Sequence, residues 1–206
     1  GSLDAEYIGI DNDSNTYGGS SGALDWAKET LSSHKTSLLQ ENTQHMEVFP
    51  GDTYDLIHID GQQDGYGTYH DLELALAHGR WILVDGYFWT EQNFRETNEF
   101  LLRHKDVVDY SIAISGYAGE LIIKTKPSHL KSQAQLRSGE PTSISSKPLA
   151  ACYDQAYFLH DCGGHESYRR NGPERIDDPR LLSILALISL KECGRLLDIG
   201  CGRGEI

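Results

Sequence analysis

The end of the sequence constrains the fold most strongly. The apolar run Leu196-Leu197-Asp198-Ile199 leads directly into Gly200-Cys201-Gly202-Arg203-Gly204, in which every second residue is glycine. An apolar run of this kind favours a buried parallel strand, and closely spaced glycines let backbone N–H groups approach a ligand. The pattern is typical of the first strand of a ligand-binding α/β sheet, although here it closes the sequence.

Residues 1–125 alternate apolar strand-like and amphipathic helix-like segments. The segments that predict strands are 7–11, Tyr54–Asp60, Arg80–Asp85, Val108–Ser115 and Glu120–Thr125. Those that predict helices are Ala23–Leu31, Thr68–His78 and Phe94–His104. This alternation predicts an α/β fold with a mostly parallel sheet, and the short loop between the last two strands predicts an antiparallel edge hairpin.

The charge is unevenly distributed along the chain. Residues 1–125 carry 7 Lys+Arg against 21 Asp+Glu, a net charge of −14, whereas residues 126–206 carry 11 against 10, a net charge of +1. The acidic first part argues against a nucleic-acid partner, because phosphate binding needs clustered cations. The chain has no long apolar span and four cysteines without C-x-x-C spacing. We therefore expect no membrane location, reduced thiols and a cytoplasmic protein.

Composition divides the chain into three regions: 1–125, a linker at 126–149, and 150–206. The linker is rich in Ser, Lys and Pro and has few large apolar residues. In the last region, Asp177-Asp178-Pro179 predicts the start of a helix over Arg180–Lys191, and Gly194 predicts its end.

The segment Asp198–Gly204 resembles the first motif of the class I S-adenosylmethionine-dependent methyltransferases, Asp/Glu-x-Gly-x-Gly-x-Gly. Its spacing differs from the Gly-x-Gly-x-x-Gly fingerprint of dinucleotide-binding folds. The resemblance implies S-adenosylmethionine as cofactor, with its methionine portion held by this loop. The implied contacts are Asp198, Gly200, Cys201, Gly202 and Gly204.

Residues 7–125 resemble the remainder of the same fold, which is Rossmann-like and doubly wound. Asp11 matches the acid that binds the ribose hydroxyls in this family, with Asp13 as an alternative; both acids could instead only cap a loop. Asp60 and Gly61 match the residues on the adenine side of the cleft.

The segments 54–61 and 81–89 resemble the fourth and fifth strands of a small-molecule branch that carries His-Ile-Asp-Gly and then Val-Asp-Asp. Some members of that branch hold a divalent metal at these strand ends. Asp60, Asp85 and His70 are the weak metal candidates here, but Gly86 replaces the second acid of Val-Asp-Asp. We favour ordinary strand-end carboxylates over a metal site.

No catalytic residue is identified, and His70 and Asp85 are the weak candidates for a general base. His58 is interpreted as a hydrogen-bonded core or cleft residue. The aromatic run Tyr87, Phe88 and Trp89 follows a strand at the position of a substrate, although packing against the next helix explains it equally well.

The stretch 157–165 resembles the region before the first motif in sugar- and natural-product-type methyltransferases. It contains Cys162 between His160 and His165, which is weak evidence for a metal or a nucleophile. A segment that covers the cofactor or gates the substrate fits better, and a plain surface loop is the alternative.

Residues 7–125 lack the first strand and glycine loop of the fold, and residues 150–206 lack the strands that follow that loop. We expect a piece of a longer protein with tandem methyltransferase domains; a permuted single domain is the alternative. Without a first strand, two neighbouring strands would leave buried edges unpaired. We therefore expect Arg195–Ile199, from the C-terminal end, to lie between strands 7–11 and 55–60, with Leu197 close to Ile10 and Ile57.

The function expected from these features is methyl transfer from S-adenosylmethionine to a small molecule, such as a saccharide or a natural-product intermediate. Further domains of a longer chain are the expected protein partners. The alternative is a non-catalytic α/β scaffold or partner-binding module in a larger protein. A nucleotide-dependent oxidoreductase is disfavoured by the spacing of the glycines.

Overall fold

The computed structural model describes residues 5–12, 23–116, 118–130, 184, 186–188 and 194–200. The strands, in chain order, are β1 (Glu6–Asp11), β2 (Lys35–Gln40), β3 (Tyr54–Ile59), β4 (Gly79–Asp85), β5 (Val108–Ile114), β6 (Glu120–Thr125) and β7 (Arg195–Ile199). The complete α-helices within the described residues are α1 (Ala23–Thr30), α2 (Tyr66–Leu76) and α3 (Glu91–Arg103), and a 3₁₀ helix spans Thr43–His45. Residues 127–130 are also helical.

All of these strands belong to one seven-stranded sheet in the order β2-β1-β7-β3-β4-β6-β5. The five strands from β2 to β4 are parallel, whereas β6 pairs antiparallel with both β4 and β5. The α/β class and the mostly parallel sheet with an antiparallel pair at its edge are therefore confirmed.

The strand β7 occupies a central position between β1 and β3. Leu197 is the register partner of Ile8 on one side and of Ile57 on the other. Backbone hydrogen bonds continue beyond the strand: Glu6 N–H donates to the Gly194 carbonyl and Gly200 N–H to the Ile10 carbonyl, both over 2.8 Å. Strand β7, from the C-terminal part of the chain, thus completes the hydrogen bonding of β1 and β3.

The sheet buries apolar side chains on both faces, as expected of central parallel strands. One face packs against α2 and α3; its buried residues include Ile57, Leu72, Ile82, Phe100 and Ile123. The opposite face holds Leu56, Leu83 and Ile122 together with Ile184 and Ile188. Because alternate residues of a strand point to opposite faces, β7 contributes Leu197 to the first face and Leu196 to the second.

One strand was missed, and two helices begin earlier than the sequence predicts. Strand β2 was not predicted: it is half-exposed and its residues Lys-Thr-Ser-Leu-Leu-Gln have no long apolar run, because it lies at the edge of the sheet. Helix α3 begins at Glu91 rather than Phe94, because the Thr90 side chain caps it by accepting from Asn93 N–H over 3.0 Å. Helix α2 likewise begins two residues before the predicted Thr68, after Gly65 at φ 84°.

Several predictions fall outside the described residues. These are Asp13, most of the linker 126–149, the stretch 157–165 with Cys162, the helix cap at Asp177 and the glycine loop beyond Gly200. Of the predicted helix 180–191, Ile184, Ala186 and Leu187 are helical. In the described part of the chain, no helix is both long and apolar enough to cross a bilayer.

Candidate functional site

Acidic side chains collect where the parallel strands end. Asp11 and Asp85 are the last residues of β1 and β4, and Asp60 follows β3. Glu120 at the start of antiparallel β6 is the register partner of Asp85. In open α/β sheets the carboxyl ends of the strands form the ligand-binding crevice. We therefore define this edge, with Gly200 after β7, as the candidate site.

Gly200 has a backbone conformation that requires glycine. Its φ is 74°, which L-residues with a side chain rarely adopt. A Cβ at this position would also collide with the carbonyl group of Asp60. The neighbouring backbone is fixed by the hydrogen bond of 2.8 Å from Asp60 N–H to the Ile199 carbonyl. The chain therefore turns tightly at the point where the predicted cofactor loop begins.

Asp198 is buried just below this edge and has a polar neighbour on each side. The hydroxyl of Tyr7 donates to its Oδ2 over 2.5 Å, and Nδ1 of His58 lies 2.7 Å from its Oδ1. All three side chains are buried. A buried carboxylate is stable only when it is hydrogen-bonded, so Tyr7 and His58 fix the orientation of Asp198 beneath the glycine turn. The interpretation of His58 as a hydrogen-bonded core or cleft residue agrees with this geometry.

Asp60, Asp85 and Glu120 form a second group, which we call the carboxyl cluster. The side-chain amide of Gln63 bridges two of its members: Nε2 lies 2.6 Å from Asp60 Oδ1 and 2.8 Å from Asp85 Oδ2. Glu120 is buried and hydrogen-bonded to Asp85. The predicted pair Asp60 and Asp85 is thus brought together, whereas Gln63 and Glu120 had no recognisable sequence signal.

Burial and neighbouring groups shift the pKa values of Asp60 and Asp85 in opposite directions. Burial, followed by the charge of Asp85, raises the pKa of Asp60 well above its usual range. Burial also acts to raise the pKa of Asp85, but hydrogen bonds from Glu120 and Gln63 and the nearby His58 outweigh it and lower the pKa. Within the pair, Asp60 therefore holds its proton more tightly, and Asp85 ionises first.

Asp11 and Gly61 flank the turn at Gly200 on opposite sides. Asp11 is half-buried at the end of β1, the strand next to β7, and its carbonyl accepts from Glu41 N–H over 3.0 Å. A Cβ on Gly61 would lie 3.3 Å from Cγ2 of Ile199, the last residue of β7. The structure therefore brings the predicted residues Asp11, Asp60, Gly61, Asp198 and Gly200 to one edge of the sheet.

His70 lies apart from the carboxyl cluster. Its Nε2 is 3.1 Å from the Thr43 carbonyl and 3.2 Å from the Met46 carbonyl, so the ring links α2 to the 3₁₀ helix. His70 is therefore not brought together with Asp60 and Asp85, the other two candidate metal ligands. Among the residues that the structure describes, no group of three or more His, Cys, Asp or Glu side chains is arranged to hold a metal ion.

The aromatic run after β4 lies beside the carboxyl cluster. Tyr87 is buried, whereas Phe88 and Trp89 are exposed. The Phe88 ring rests on Gly119, the residue before Glu120, where any side chain would collide with it. Phe94 of α3 stacks on Phe88 with ring centroids 5.8 Å apart. Both interpretations of the run therefore have support: Tyr87 packs inward, and two rings face outward at the site.

Asp71 is a buried acid that had no recognisable signal in the sequence. Its Oδ1 accepts from Gln44 Nε2 over 3.1 Å, and its Oδ2 has no hydrogen-bond partner within the described residues. Burial raises the pKa of Asp71 to about 7, against smaller lowering effects of Thr43 and His70. Its Oδ2 faces Gly61 and would lie 3.1 Å from a Cβ atom added to that glycine.

Comparison with known proteins finds no counterpart for this arrangement. No protein-family model, curated protein or solved structure matches the chain. Its function is therefore inferred from the residues and the geometry of the chain itself.

Proposed function

We propose that the chain carries the cofactor-binding residues of an S-adenosylmethionine-dependent methyltransferase with a Rossmann-like, doubly wound sheet. In this proposal β7 is the first-motif strand, supplied from the C-terminal end of the sequence. The observation that carries it is Gly200: a positive-φ glycine at the carboxyl end of a central strand, packed so closely on Asp60 that only glycine fits. Glycine at such a turn lets the backbone approach a ligand closely.

The surrounding residues suit the parts of this cofactor. The carboxylate of Asp11, beside β7, has two oxygens that can accept from the adjacent hydroxyls of a ribose. Asp60 and Gly61, on the other side of β7, flank the position proposed for the adenine. Cys201, Gly202 and Gly204 of the motif are assigned to the methionine portion, and Asp198 supports the turn at Gly200 from below through its hydrogen bonds with Tyr7 and His58.

The bound cofactor supplies an electrophilic methyl group on a positively charged sulfur. The task of the protein is then to align donor and acceptor and to exclude water. Of Asp60 and Asp85, Asp85 is the carboxyl group whose pKa is lowered and whose ionised form is favoured, so it is the candidate that would accept a proton where the acceptor has to lose one. We propose a small-molecule acceptor and a cytoplasmic enzyme, with neither nucleic acid nor metal required.

Calorimetric titration with S-adenosylhomocysteine tests the proposal. We expect saturable binding that Asp11→Asn weakens about tenfold or more, since hydrogen bonds to a charged group contribute about 1.5–3 kcal/mol. Asp25→Asn is the matched control, because it removes an equally charged but exposed side chain that pairs with Lys28 on α1. Folded protein that shows no binding at millimolar ligand would instead favour the non-catalytic scaffold.

A further inference from the structure

Three exposed aromatic side chains lie close to the carboxyl cluster: Phe88 and Phe94 stack on each other, and Trp89 follows Phe88 in the chain. Phe88, Trp89 and Phe94, which we call the aromatic face, are 50%, 52% and 41% exposed. Large aromatic side chains usually bury more of their surface than this, and a contiguous exposed group marks a binding site more often than scattered single residues do.

Hydrogen bonds fix the backbone that carries the aromatic face. The backbone N–H of Phe88 donates to the Ala118 carbonyl over 2.7 Å, and that of Trp89 donates to the Gly86 carbonyl over 2.9 Å. The buried amide of Asn93, from the first turn of α3, donates to the same Gly86 carbonyl over 2.7 Å. A binding surface that is ordered in advance costs less conformational entropy when a ligand arrives.

Carboxyl groups lie beside the aromatic face. Asp85 and Glu120 adjoin the ring of Phe88 through Gly119. Of the cations nearest in sequence, Arg95 follows Phe94 and its Nε lies 3.9 Å from Glu96, whereas Arg80 belongs to the opposite end of β4, where its guanidinium lies 3.9 Å from Asp55.

We propose that the aromatic face binds the ammonium group of a small amine, which is the methyl acceptor of the proposed enzyme. The negative faces of aromatic rings and the neighbouring carboxylates attract the same kind of ligand, a cation with an apolar surface. An anionic acceptor would be repelled by the same groups. This inference rests on the proposed function and narrows its acceptor to an amine.

Methylation of a primary or secondary ammonium is chemically balanced at this site. One N–H proton passes to an ionised carboxylate, such as Asp85. The freed nitrogen lone pair forms the new N–CH₃ bond, while the electron pair of the broken S–CH₃ bond remains on sulfur.

The inference can be tested by binding alone, with choline and its neutral isostere 3,3-dimethylbutan-1-ol as probes. Calorimetry or ligand-observed NMR should show binding of choline in the presence of S-adenosylhomocysteine, at least about tenfold tighter than the isostere. We expect Trp89→Leu and Phe88→Leu each to weaken choline about fivefold or more. Tyr110→Leu is the control, because it removes an exposed ring on β5 that contacts Trp81 instead.

Equal binding of the two probes, no binding of choline, or choline binding unchanged by both aromatic variants would overturn the inference. So would tighter, aromatic-dependent binding of a neutral sugar such as methyl glucoside. If choline fails while S-adenosylhomocysteine still binds, the amine assignment fails alone. If S-adenosylhomocysteine does not bind to the folded chain, the proposed function itself fails.

Discussion

At the scale of single residues, the site depends on a few positions at which backbone conformation or hydrogen bonding restricts which residue can be present. Gly200 must be glycine because of its φ and its contact with Asp60. Asp198 depends on Tyr7 and His58 for its hydrogen bonds. The importance of the glycine was predictable from its spacing, since Gly-x-Gly at a strand end is a local pattern. The partnership of Tyr7 with Asp198 was not, because 191 residues separate them in sequence.

The two glycines that flank β7 should respond very differently to substitution. Gly200→Ala is expected to lower the free energy of unfolding by about 2 kcal/mol or more, through left-handed strain and the collision with Asp60. Gly194→Ala should change it by less than about 1 kcal/mol, because the nearest atom to a new Cβ lies 3.7 Å away. Urea denaturation of both variants measures the change in the free energy of unfolding. Equal changes for the two variants would contradict the tight, left-handed turn at Gly200.

Asp71 should make stability depend on pH. The folded state retains this proton up to about pH 7, whereas the ordinary pKa of the carboxyl group is 3.8. The unfolded chain therefore releases the proton first, and the contribution of Asp71 to stability is lost as the pH rises from about 4 to 7. The loss is at most about 4 kcal/mol, at about 1.4 kcal/mol for each pH unit.

The variant Asp71→Asn isolates this effect. Its free energy of unfolding, relative to that of the unmodified protein, should increase steadily from pH 4 to about pH 7 in urea denaturation experiments. A difference that stays constant over this range would show that Asp71 does not carry the proposed buried proton.

At the scale of elements, the sequence was informative wherever a segment was strongly apolar. Strands β3, β4 and β6 were predicted because burial on both faces requires continuous apolar residues. Strand β2 was missed because an edge strand has no such requirement. The early start of α3 was predictable in principle, since Thr90 is a favourable cap three residues before Asn93. The 3₁₀ helix with its contact to His70 depends on tertiary packing and had no local signal.

Strand β7 should carry a large share of the stability of the sheet. Leu197→Ala is expected to lower the free energy of unfolding by about 2–5 kcal/mol, because it opens a cavity at a fully buried site between β1 and β3. Leu102→Ala, on the exposed side of α3, should change it by less than about 0.5 kcal/mol. Chemical denaturation compares the two variants. A small effect of Leu197→Ala would mean that β7 is not a central strand.

At the scale of the whole molecule, the strand order explains why one site can be assembled from distant parts of the sequence. Residues 6–11 and 195–199 are neighbours in the sheet, although most of the chain lies between them. The sequence alone predicts this pairing, because the facing edges of β1 and β3 need a strand to satisfy their hydrogen bonds. What pattern alone could not supply is the network across the sheet, in which Glu120, Gln63 and His58 lower the pKa of Asp85 against the effect of burial.

The central claim is that both ends of the chain meet in one pocket that binds the cofactor. Hydrogen–deuterium exchange with and without S-adenosylhomocysteine tests it most directly. We expect the ligand to slow exchange at the carboxyl end of β1, around Asp11, and after β7, at Gly200 and beyond, over the same range of ligand concentration. Unchanged exchange at saturating ligand, or protection of one of these segments without the other, would contradict the claim.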